Sequence, residues 1–241
     1  MNNPSSQRLS MNIEHFTPSI VTAGQVSDLW EENDVVIFII EMKDYPLADA
    51  DHLSEAEKMH LNMLRTEYFR HRFIISRLVL KSLAATIKER SWSDIVTCKD
   101  ENGRVHVCGH NDLNVCISYS EDILALALSK IEVGIDIEVI RSRSVASISK
   151  SIDIPKSIDR TLSGIISSAK VPDFLVMWTL KEAYCKLSNE TMFSSLARKL
   201  DLAGLYHSSY CIKNTYLLAA VSGSHPCKVE IVFLQKIDFL S

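Results

Sequence analysis

The chain has 241 residues, of which 46% are hydrophobic and 23% charged, and these proportions exclude an intrinsically disordered protein. A formal net charge of −4 disfavours nucleic acid as the main partner, because polyanions are attracted by an excess of basic residues. The longest apolar runs, such as Val35–Ile40, are too short to cross a bilayer, and the N-terminus lacks the apolar segment of a secretion signal. We therefore expect a cytoplasmic protein without a membrane segment, whose six scattered cysteines are reduced.

The first elements predicted along the chain are a buried strand and a long helix. Val35–Glu41 is an apolar, β-branched run of strand length. Ser54, followed three residues later by Glu57, forms a capping box and predicts a helix start. The apolar spacing from Phe69 onwards predicts that this helix continues to about Ile87.

Short strands fill the middle of the chain. The pattern predicts them over residues 94–98, 105–108, 114–118, 123–129 and 133–138, with Asn102-Gly103 as a hairpin turn. A serine-rich connector over residues 142–168, a helix over 172–187 and closing strands over 216–221 and 229–234 follow. This order predicts an α+β fold with two sheet-and-helix lobes and a boundary near residues 120–130.

The segment Gly-Ile-Asp-Ile-Glu at residues 134–138 carries two carboxylates. In a strand the side chains alternate, so Asp136 and Glu138 share one face. Two adjacent carboxylates repel each other unless a cation lies between them, and Mg²⁺ prefers such hard oxygen ligands. The alternative interpretation is a half-exposed strand whose acidic residues face water.

A second segment lies on the second predicted helix. Trp178, Glu182 and Lys186 are spaced at i, i+4 and i+8 and therefore share a helix face. One interpretation is a Glu–Lys surface pair worth roughly 0.3–0.5 kcal/mol. The other is a third carboxylate for a metal, flanked by lysines that bind phosphates.

Taken together, the two segments resemble the signature of the surfactin-synthetase-activating (Sfp-like) 4'-phosphopantetheinyl transferases. That family has Gly-Ile/Val-Asp-Ile/Val-Glu, followed by Trp/Phe-Ser/Thr/Cys-x-Lys-Glu-Ala/Ser-x-x-Lys. Residues 134–138 match the first pattern, and residues 178–186, Trp-Thr-Leu-Lys-Glu-Ala-Tyr-Cys-Lys, match the second. The resemblance extends over roughly residues 53–221.

The resemblance implies an enzyme that transfers the phosphopantetheine arm of coenzyme A to a serine of an apo acyl or peptidyl carrier protein, releasing adenosine 3',5'-bisphosphate. It implies that Asp136 and Glu182 ligate Mg²⁺, or Mn²⁺, with Glu138 as a third ligand or acting through water. Glu182 is also the implied catalytic base for the carrier serine. Lys181 and Lys186 are the implied ligands of the α- and β-phosphates.

Further contacts with coenzyme A are implied in the N-terminal half. Arg70, Arg77, Lys81 and Lys88 are spaced to line one helix face, where Lys81 is the best positional match for binding the 3'-phosphate. A solvated basic stripe is the alternative. Arg104 stands in Gly-Arg-Val where the family has Gly-Lys-Pro, and it is the second implied anchor of the 3'-phosphate end.

The clearest departure from the family is Ile-Ser-Tyr-Ser at residues 117–120, where relatives have Ser-His-Ser. The resemblance implies that Ser118 and Tyr119 contact the nucleotide phosphates. Tyr119 can donate a hydrogen bond but carries no positive charge at neutral pH, so weaker coenzyme A binding or a different pose of the phosphates is expected.

The family architecture implies a monomer with two pseudo-symmetric lobes, each a small, mainly antiparallel sheet packed on a long helix. The lobes comprise residues 1–125, which contact the nucleotide, and residues 126–241, which carry the metal ligands and phosphate-binding lysines. The active site would lie in the cleft between them.

Two other interpretations are open. A catalytically inactive homologue that binds coenzyme A or a carrier protein is suggested by Tyr119 and by the absence of the family's glycine-rich loop after Lys186, although all three carboxylates and both lysines are retained. A zinc site formed by His106, Cys108 and His110 is the other, but these three donors match no established spacing, and a strand entering a turn is favoured.

Overall fold

A computed structural model describes residues 13–46, 49–140, 173–190, 200–223 and 227–237 of the chain. The serine-rich connector predicted for residues 142–168 lies outside this part, as does Pro172 at the start of the second predicted helix. Over the described ranges, no helix combines the length and the apolar character needed to cross a membrane.

Four α-helices lie in the described part of the chain: α1 (Val26–Glu32), α2 (Glu55–Met63), α3 (Glu67–Lys88) and α4 (Asp173–Ser188). The predicted helix start is confirmed, since the Glu57 amide donates to Ser54 Oγ at 3.3 Å and the Ser54 amide donates to Glu57 Oε2 at 2.7 Å. The prediction of one continuous helix after it is wrong. The chain leaves α2 at Leu64 in an extended conformation, and Thr66 caps α3 by accepting a hydrogen bond from the Phe69 amide at 3.2 Å.

The described residues form eleven β-strands: β1 (Ile13–Phe16), β2 (Ser19–Val21), β3 (Val35–Glu41), β4 (Thr97–Lys99), β5 (Val105–Val107), β6 (Asn114–Ser120), β7 (Ile123–Ser129), β8 (Val133–Val139), β9 (Tyr206–Ile212), β10 (Tyr216–Ser222) and β11 (Val229–Leu234). The predictions of β3, β7 and β11 are confirmed residue for residue. The other predicted strands are present with different bounds, and the strand predicted over residues 94–98 is shifted to β4, after a 3₁₀ turn at Trp92–Asp94. β1, β2, β9 and α1 were not predicted, because short or polar segments show little periodicity.

The strands form two main sheets and a small hairpin. The five-stranded sheet has the order β2-β11-β3-β7-β6, the four-stranded sheet has the order β1-β9-β10-β8, and β4 pairs with β5. Pairing is antiparallel except between β1 and β9 and between β11 and its neighbours β2 and β3. The α+β class is therefore confirmed, and most strand pairs are antiparallel as predicted.

The predicted pair of pseudo-symmetric lobes is not confirmed. β1, at the start of the described residues, joins the sheet of the C-terminal strands, while β11, at their end, joins the sheet of the N-terminal strands. A boundary between residues 125 and 126 would fall inside β7. Neither sheet is thus built from one half of the chain alone, because strand pairing at long range decides which sheet each strand joins.

The elements pack in four layers, with the two sheets between helices. Phe38 of β3 packs towards α3, whereas its neighbours Ile37 and Ile39 pack towards the four-stranded sheet. Helix α4 covers the far face of that sheet, where Leu217 and Val221 of β10 are buried against it. Complete burial of one such side chain stabilises the fold by about 1.5–3 kcal/mol. This packing places β8, an edge strand, between β6 and α4.

A buried ion pair joins α2, α3 and β4. Lys81 Nζ donates to Glu57 Oε2 at 2.7 Å, and each side chain is only 5% exposed. The Thr97 hydroxyl also donates to this carboxylate, and Lys81 donates to the His52 carbonyl at 3.2 Å. Burial raises the pKa of Glu57, but the hydrogen bonds from Lys81 and Thr97 outweigh this effect and hold the pKa below its ordinary value of 4.5.

We expect the free energy of unfolding to fall in acid as this pair is lost. The folded-state pKa of Glu57 is depressed, so the pair stabilises the protein fully at pH values above the ordinary pKa of 4.5. This contribution to stability is lost as the pH falls through the folded-state pKa. Urea unfolding between about pH 7 and about pH 3 measures the loss. The double variant Glu57→Gln/Lys81→Met removes the titrating pair and should show a shallower decline. The same decline in both proteins would contradict this role.

Candidate active site

The acidic strand predicted at residues 134–138 is the central part of β8. Ile135 and Ile137 are fully buried between the two sheets, as the predicted alternation requires. Asp136 is 2% exposed, so the alternative of an acidic side chain facing water does not hold for this residue. Glu138 is partly buried. A buried carboxylate needs partners, and those of Asp136 come from β6 and α4.

Gly134 explains why α4 lies so close to β8. A methyl group at this position would lie 2.6 Å from the Leu187 amide nitrogen and closer still to the Ala183 carbonyl oxygen, both of which belong to the backbone of α4. The absence of a side chain therefore lets the helix rest directly on the strand. This close approach brings Glu182 and Lys186 beside Asp136.

Lys186 is the cation of the site. Its Nζ donates to Asp136 Oδ1 at 2.8 Å and to Ser118 Oγ at 2.9 Å, while its side chain is 31% exposed. Burial lowers the pKa of Lys186, but the charge and hydrogen bond of Asp136, together with the nearby Cys116 and Glu182, outweigh this and raise it. Lys186 thus pairs with a carboxylate of another element, not with Glu182 on its own helix as the surface-pair interpretation assumes.

The site holds more carboxyl groups than Lys186 can neutralise. Burial, followed by the negative charge of Asp136, raises the pKa of Glu182 to about 8, and the two carboxyl groups are in hydrogen-bonding contact. Burial and the charge of Asp136 also raise the pKa of Glu138. Glu182 therefore keeps a proton at neutral pH unless a further positive charge enters the site.

This donor set fits a divalent cation. Among the described residues, Asp136 Oδ2 is buried and accepts no hydrogen bond from an N–H or hydroxyl group, and the Glu182 carboxyl group contacts the same aspartate. No group of three His, Cys, Asp or Glu side chains in the described ranges forms a ready-made metal cluster. Mg²⁺, however, is usually held by one or two carboxylates and completes its shell with water and substrate phosphates. Asp136 and Glu182 meet that requirement, with Glu138 adding negative charge nearby.

Of the two other phosphate ligands predicted on β6 and α4, Ser118 belongs to this cluster. The Ser118 hydroxyl donates to Asp136 Oδ1 at 2.7 Å and accepts from the Ile137 amide at 3.2 Å. Lys181 is partly buried on α4, about 100° around the helix axis from Glu182. The contacts predicted between these two residues and phosphates stay predictions.

Arg104 joins the site through the end of α4. Its Nη2 donates to the carbonyl oxygen of Lys186 and, at 2.8 Å, to that of Leu187. A cation is favoured at a helix C-terminus, where carbonyl groups lack partners within the helix. Arg104 thus holds the end of α4 that carries Lys186, and its predicted contact with a 3'-phosphate stays a prediction.

Lys81 is not brought to the carboxylates of β8. Its ammonium group is taken up by Glu57 in the buried ion pair described above. Arg77 and Lys81 are each 4% exposed, and Lys88 pairs with Asp112, so the predicted basic stripe is not a continuous solvated surface. Because the Lys81 ammonium group is buried in this ion pair, it is not accessible for the predicted contact with a 3'-phosphate.

A cationic cavity that the sequence pattern did not single out lies beside Tyr119. It has a volume of about 350 Å³ and is lined by Arg72, Arg77, Lys99 and His60 together with the Tyr119 ring. The Arg72 guanidinium lies 4.3 Å from the centre of that ring. Within the part of the chain that the structure describes, Arg77 Nη1 is buried and lacks a hydrogen-bond partner. These cations come from α3 and β4, and no local spacing in the sequence groups them.

A second cavity lies beside the cationic cavity and is lined in part by the lysine that pairs with Asp136. It has a volume of about 230 Å³ and is lined by Lys186 and Arg104 among other residues. It shares Gly103, Val105 and Ile117 with the cationic cavity, so the two lie side by side along β5 and β6. A basic path therefore leads from α3 to the side chain that pairs with Asp136.

The interpretation of residues 106–110 as a strand entering a turn is confirmed. β5 ends at Val107, and Gly109 has a φ of 79°. His106 Nε2 lies 3.3 Å from Asp100 Oδ2, so this ring has a carboxylate partner within its own hairpin.

No protein-family model matches this chain, and a search of curated proteins found no match. The chemistry of the site therefore rests on its own residues, which are the contacting carboxyl groups of Asp136 and Glu182, the Lys186 ammonium group, and Glu138 nearby.

Proposed function

We propose that this protein transfers the 4'-phosphopantetheine arm of coenzyme A to a serine of an apo acyl or peptidyl carrier protein. The observation that carries the proposal is the meeting of Asp136 with Glu182 and Lys186 at the edge of the basic path. These residues come from two separated segments, both of which resemble the transferase signature. The proposed reaction needs several charged groups at one point.

The reaction is a phosphoryl transfer, which enzymes catalyse mainly by positioning the reactants and neutralising negative charge. The carrier serine oxygen forms a bond with the β-phosphorus of coenzyme A. The bond between that phosphorus and the oxygen bridging to the α-phosphorus breaks, and adenosine 3',5'-bisphosphate leaves. Glu182 is the proposed acceptor of the serine proton.

Asp136 and Glu182 would hold Mg²⁺, with Glu138 adjacent. The ion supplies positive charge that lets both carboxyl groups ionise and offsets the charge of the pyrophosphate. Lys186 is partly exposed and lines the second cavity, so its ammonium can donate to a phosphate oxygen there. Arg104 supports this contact by holding the helix end that carries Lys186.

The nucleotide end of coenzyme A is proposed to lie in the cationic cavity. Arg72, Arg77 and Lys99 line it, and Arg77 Nη1 is the donor without a partner among the described residues. A phosphate monoester would give this buried donor an acceptor, which a buried guanidinium requires. We therefore assign the 3'-phosphate to these residues in preference to Lys81, whose charge is already matched by Glu57.

The second candidate function is a catalytically inactive protein that binds coenzyme A or a carrier protein. Two observations favour it. Lys186 already neutralises Asp136, and Tyr119 brings no charge to the cavity where the family's histidine would stand. This candidate predicts binding without transfer.

The test is intact-protein mass spectrometry of apo acyl and peptidyl carrier proteins incubated with this protein, coenzyme A and Mg²⁺. We expect a gain of one phosphopantetheine mass on at least one carrier, and none when EDTA removes the metal. Coenzyme A binding measured by calorimetry, without a mass gain on any carrier, would favour the inactive binding protein. The absence of both binding and transfer would contradict both candidates.

A further inference from the structure

Side chains of β6 cover the open edge of β8. One edge of β8 pairs with β10, and the amides on its other edge would lack partners in the sheet. Three alternate residues of β6 supply acceptors instead. These hydrogen bonds run from the Ile135 amide to Cys116 Sγ at 3.2 Å, from the Ile137 amide to Ser118 Oγ at 3.2 Å and from the Val139 amide to Ser120 Oγ at 3.0 Å.

The two serines of this ladder make a second contact that the cysteine does not make. The Ser120 hydroxyl donates to Glu138 Oε2 at 3.0 Å, and the Ser118 hydroxyl donates to Asp136 Oδ1 at 2.7 Å. Cys116 Sγ is instead 3.9 Å from the Ile135 carbonyl oxygen. Each serine therefore joins a β8 amide to the carboxylate of the preceding residue, whereas the cysteine ties only the backbone.

Apart from their serines, the two carboxylates differ in how firmly they are held. Asp136 has Lys186 as a further partner on the same oxygen, and its short side chain is almost fully buried. Glu138 has a longer side chain and is partly exposed, so more conformational freedom must be lost to keep it in one position. The Ser120 hydroxyl, itself held by the Val139 amide, gives Glu138 a fixed donor.

We propose that Ser120 is a positioning residue, which fixes the Glu138 carboxylate near the Asp136 and Glu182 pair and so strengthens the binding of a divalent cation there. This inference rests on the proposed function, because it takes the carboxylates to be the metal site. Groups that orient ligands around a metal typically contribute 10–100-fold to its affinity.

The experiment measures Mn²⁺ binding to the full chain by electron paramagnetic resonance, without coenzyme A or a carrier protein. In Ser120→Ala we expect the dissociation constant to rise about tenfold or more. Ser120→Cys should show most of the same rise, because a thiol is a weak donor. Cys116 shows that a thiol at such a position accepts a β8 amide, so this variant keeps the backbone tie and serves if Ser120→Ala does not fold. Ser120→Thr keeps the hydroxyl and should restore affinity.

Cys116→Ala is the matched control, since it removes the same kind of backbone tie without removing a hydrogen bond to a carboxylate. It should bind Mn²⁺ like the wild type. An equal rise in Cys116→Ala and Ser120→Ala, or an unchanged dissociation constant in both Ser120→Ala and Ser120→Cys, would overturn the inference, as would a wild-type chain that binds no Mn²⁺. If the Ser120 effect is present but no carrier gains mass, the inference stands and the proposed transfer is wrong.

Discussion

Replacing Asp136 with Asn is expected to reduce carrier modification by at least about 10³-fold while leaving a folded protein. The side chain is nearly isosteric, so the packing of β8 against α4 should survive. The change removes the negative charge that Lys186 neutralises, together with the buried Oδ2 that fits a cation. Lys186 is 31% exposed, so its ammonium can turn towards water when the carboxylate is lost. The rate of mass gain on the carrier measures the effect, and circular dichroism with urea unfolding verifies the fold.

Asp112→Asn is the control for this prediction. Asp112 also accepts from a lysine, Lys88, at 2.5 Å, but it is 73% exposed and lies at the surface. This control should transfer at the wild-type rate. An Asp136→Asn protein that is fully active would show that the carboxylate has no part in the reaction. One that no longer folds would assign it a structural role.

The second large effect is expected from Gly134→Ala, which should lower the free energy of unfolding by about 3 kcal/mol. The added methyl group meets the Ala183 carbonyl oxygen and the Leu187 amide nitrogen of α4. Both atoms belong to the helix backbone, so no side-chain rotation can make room, and the helix must move away from β8. Urea unfolding at neutral pH measures the loss.

Gly24→Ala is the matched control, because the nearest atom to its new methyl group would be Thr22 Oγ1 at 3.9 Å, an ordinary van der Waals distance. It should change the stability by less than about 0.5 kcal/mol. Equal stability of the two variants would contradict the close approach of α4 to β8. Displacement of α4 would also separate Lys186 from Asp136, so Gly134→Ala should lose transfer activity even where it remains folded.

The geometry also links Gly134 to the carboxylates on the same strand. Gly134, Asp136 and Glu138 alternate on the face of β8 that α4 covers. The glycine lets the helix approach, and the approach brings Glu182 and Lys186 to the acidic residues. The small residue and the charged residues are thus parts of one arrangement.

Local features of the fold could be predicted from the sequence because they depend on neighbouring residues alone. The runs that form β3, β7 and β11 are apolar and bounded by polar residues, which is sufficient to define a buried strand. The capping box of Ser54 and Glu57 closes within one helical turn. The alternation that points Asp136 away from the apolar core follows from the two-residue period of a strand.

Features that depend on distant partners could not be predicted. Lys81 was expected to bind a phosphate, but a carboxylate 24 residues away in sequence pairs with it inside the protein. Arg104 contacts the end of a helix more than 80 residues later. The cavity of Arg72, Arg77 and Lys99 is lined jointly by α3 and by the hairpin of β4 and β5, which are distant in the sequence.

Both the architecture and the site combine local features, which the sequence shows, with long-range contacts, which it does not. Periodicity identified most strands but not the sheet that each one joins, so the placement of β1 and β11 in the sheets of opposite chain halves came from the tertiary structure. Hydrophobic periodicity is a property of a segment and is visible in the sequence. Pairing, burial and charge compensation are properties of contacts between segments, and only the packed chain decides them. The sequence by itself therefore determined which residues carry charge at the site, and the tertiary structure decided which of them meet.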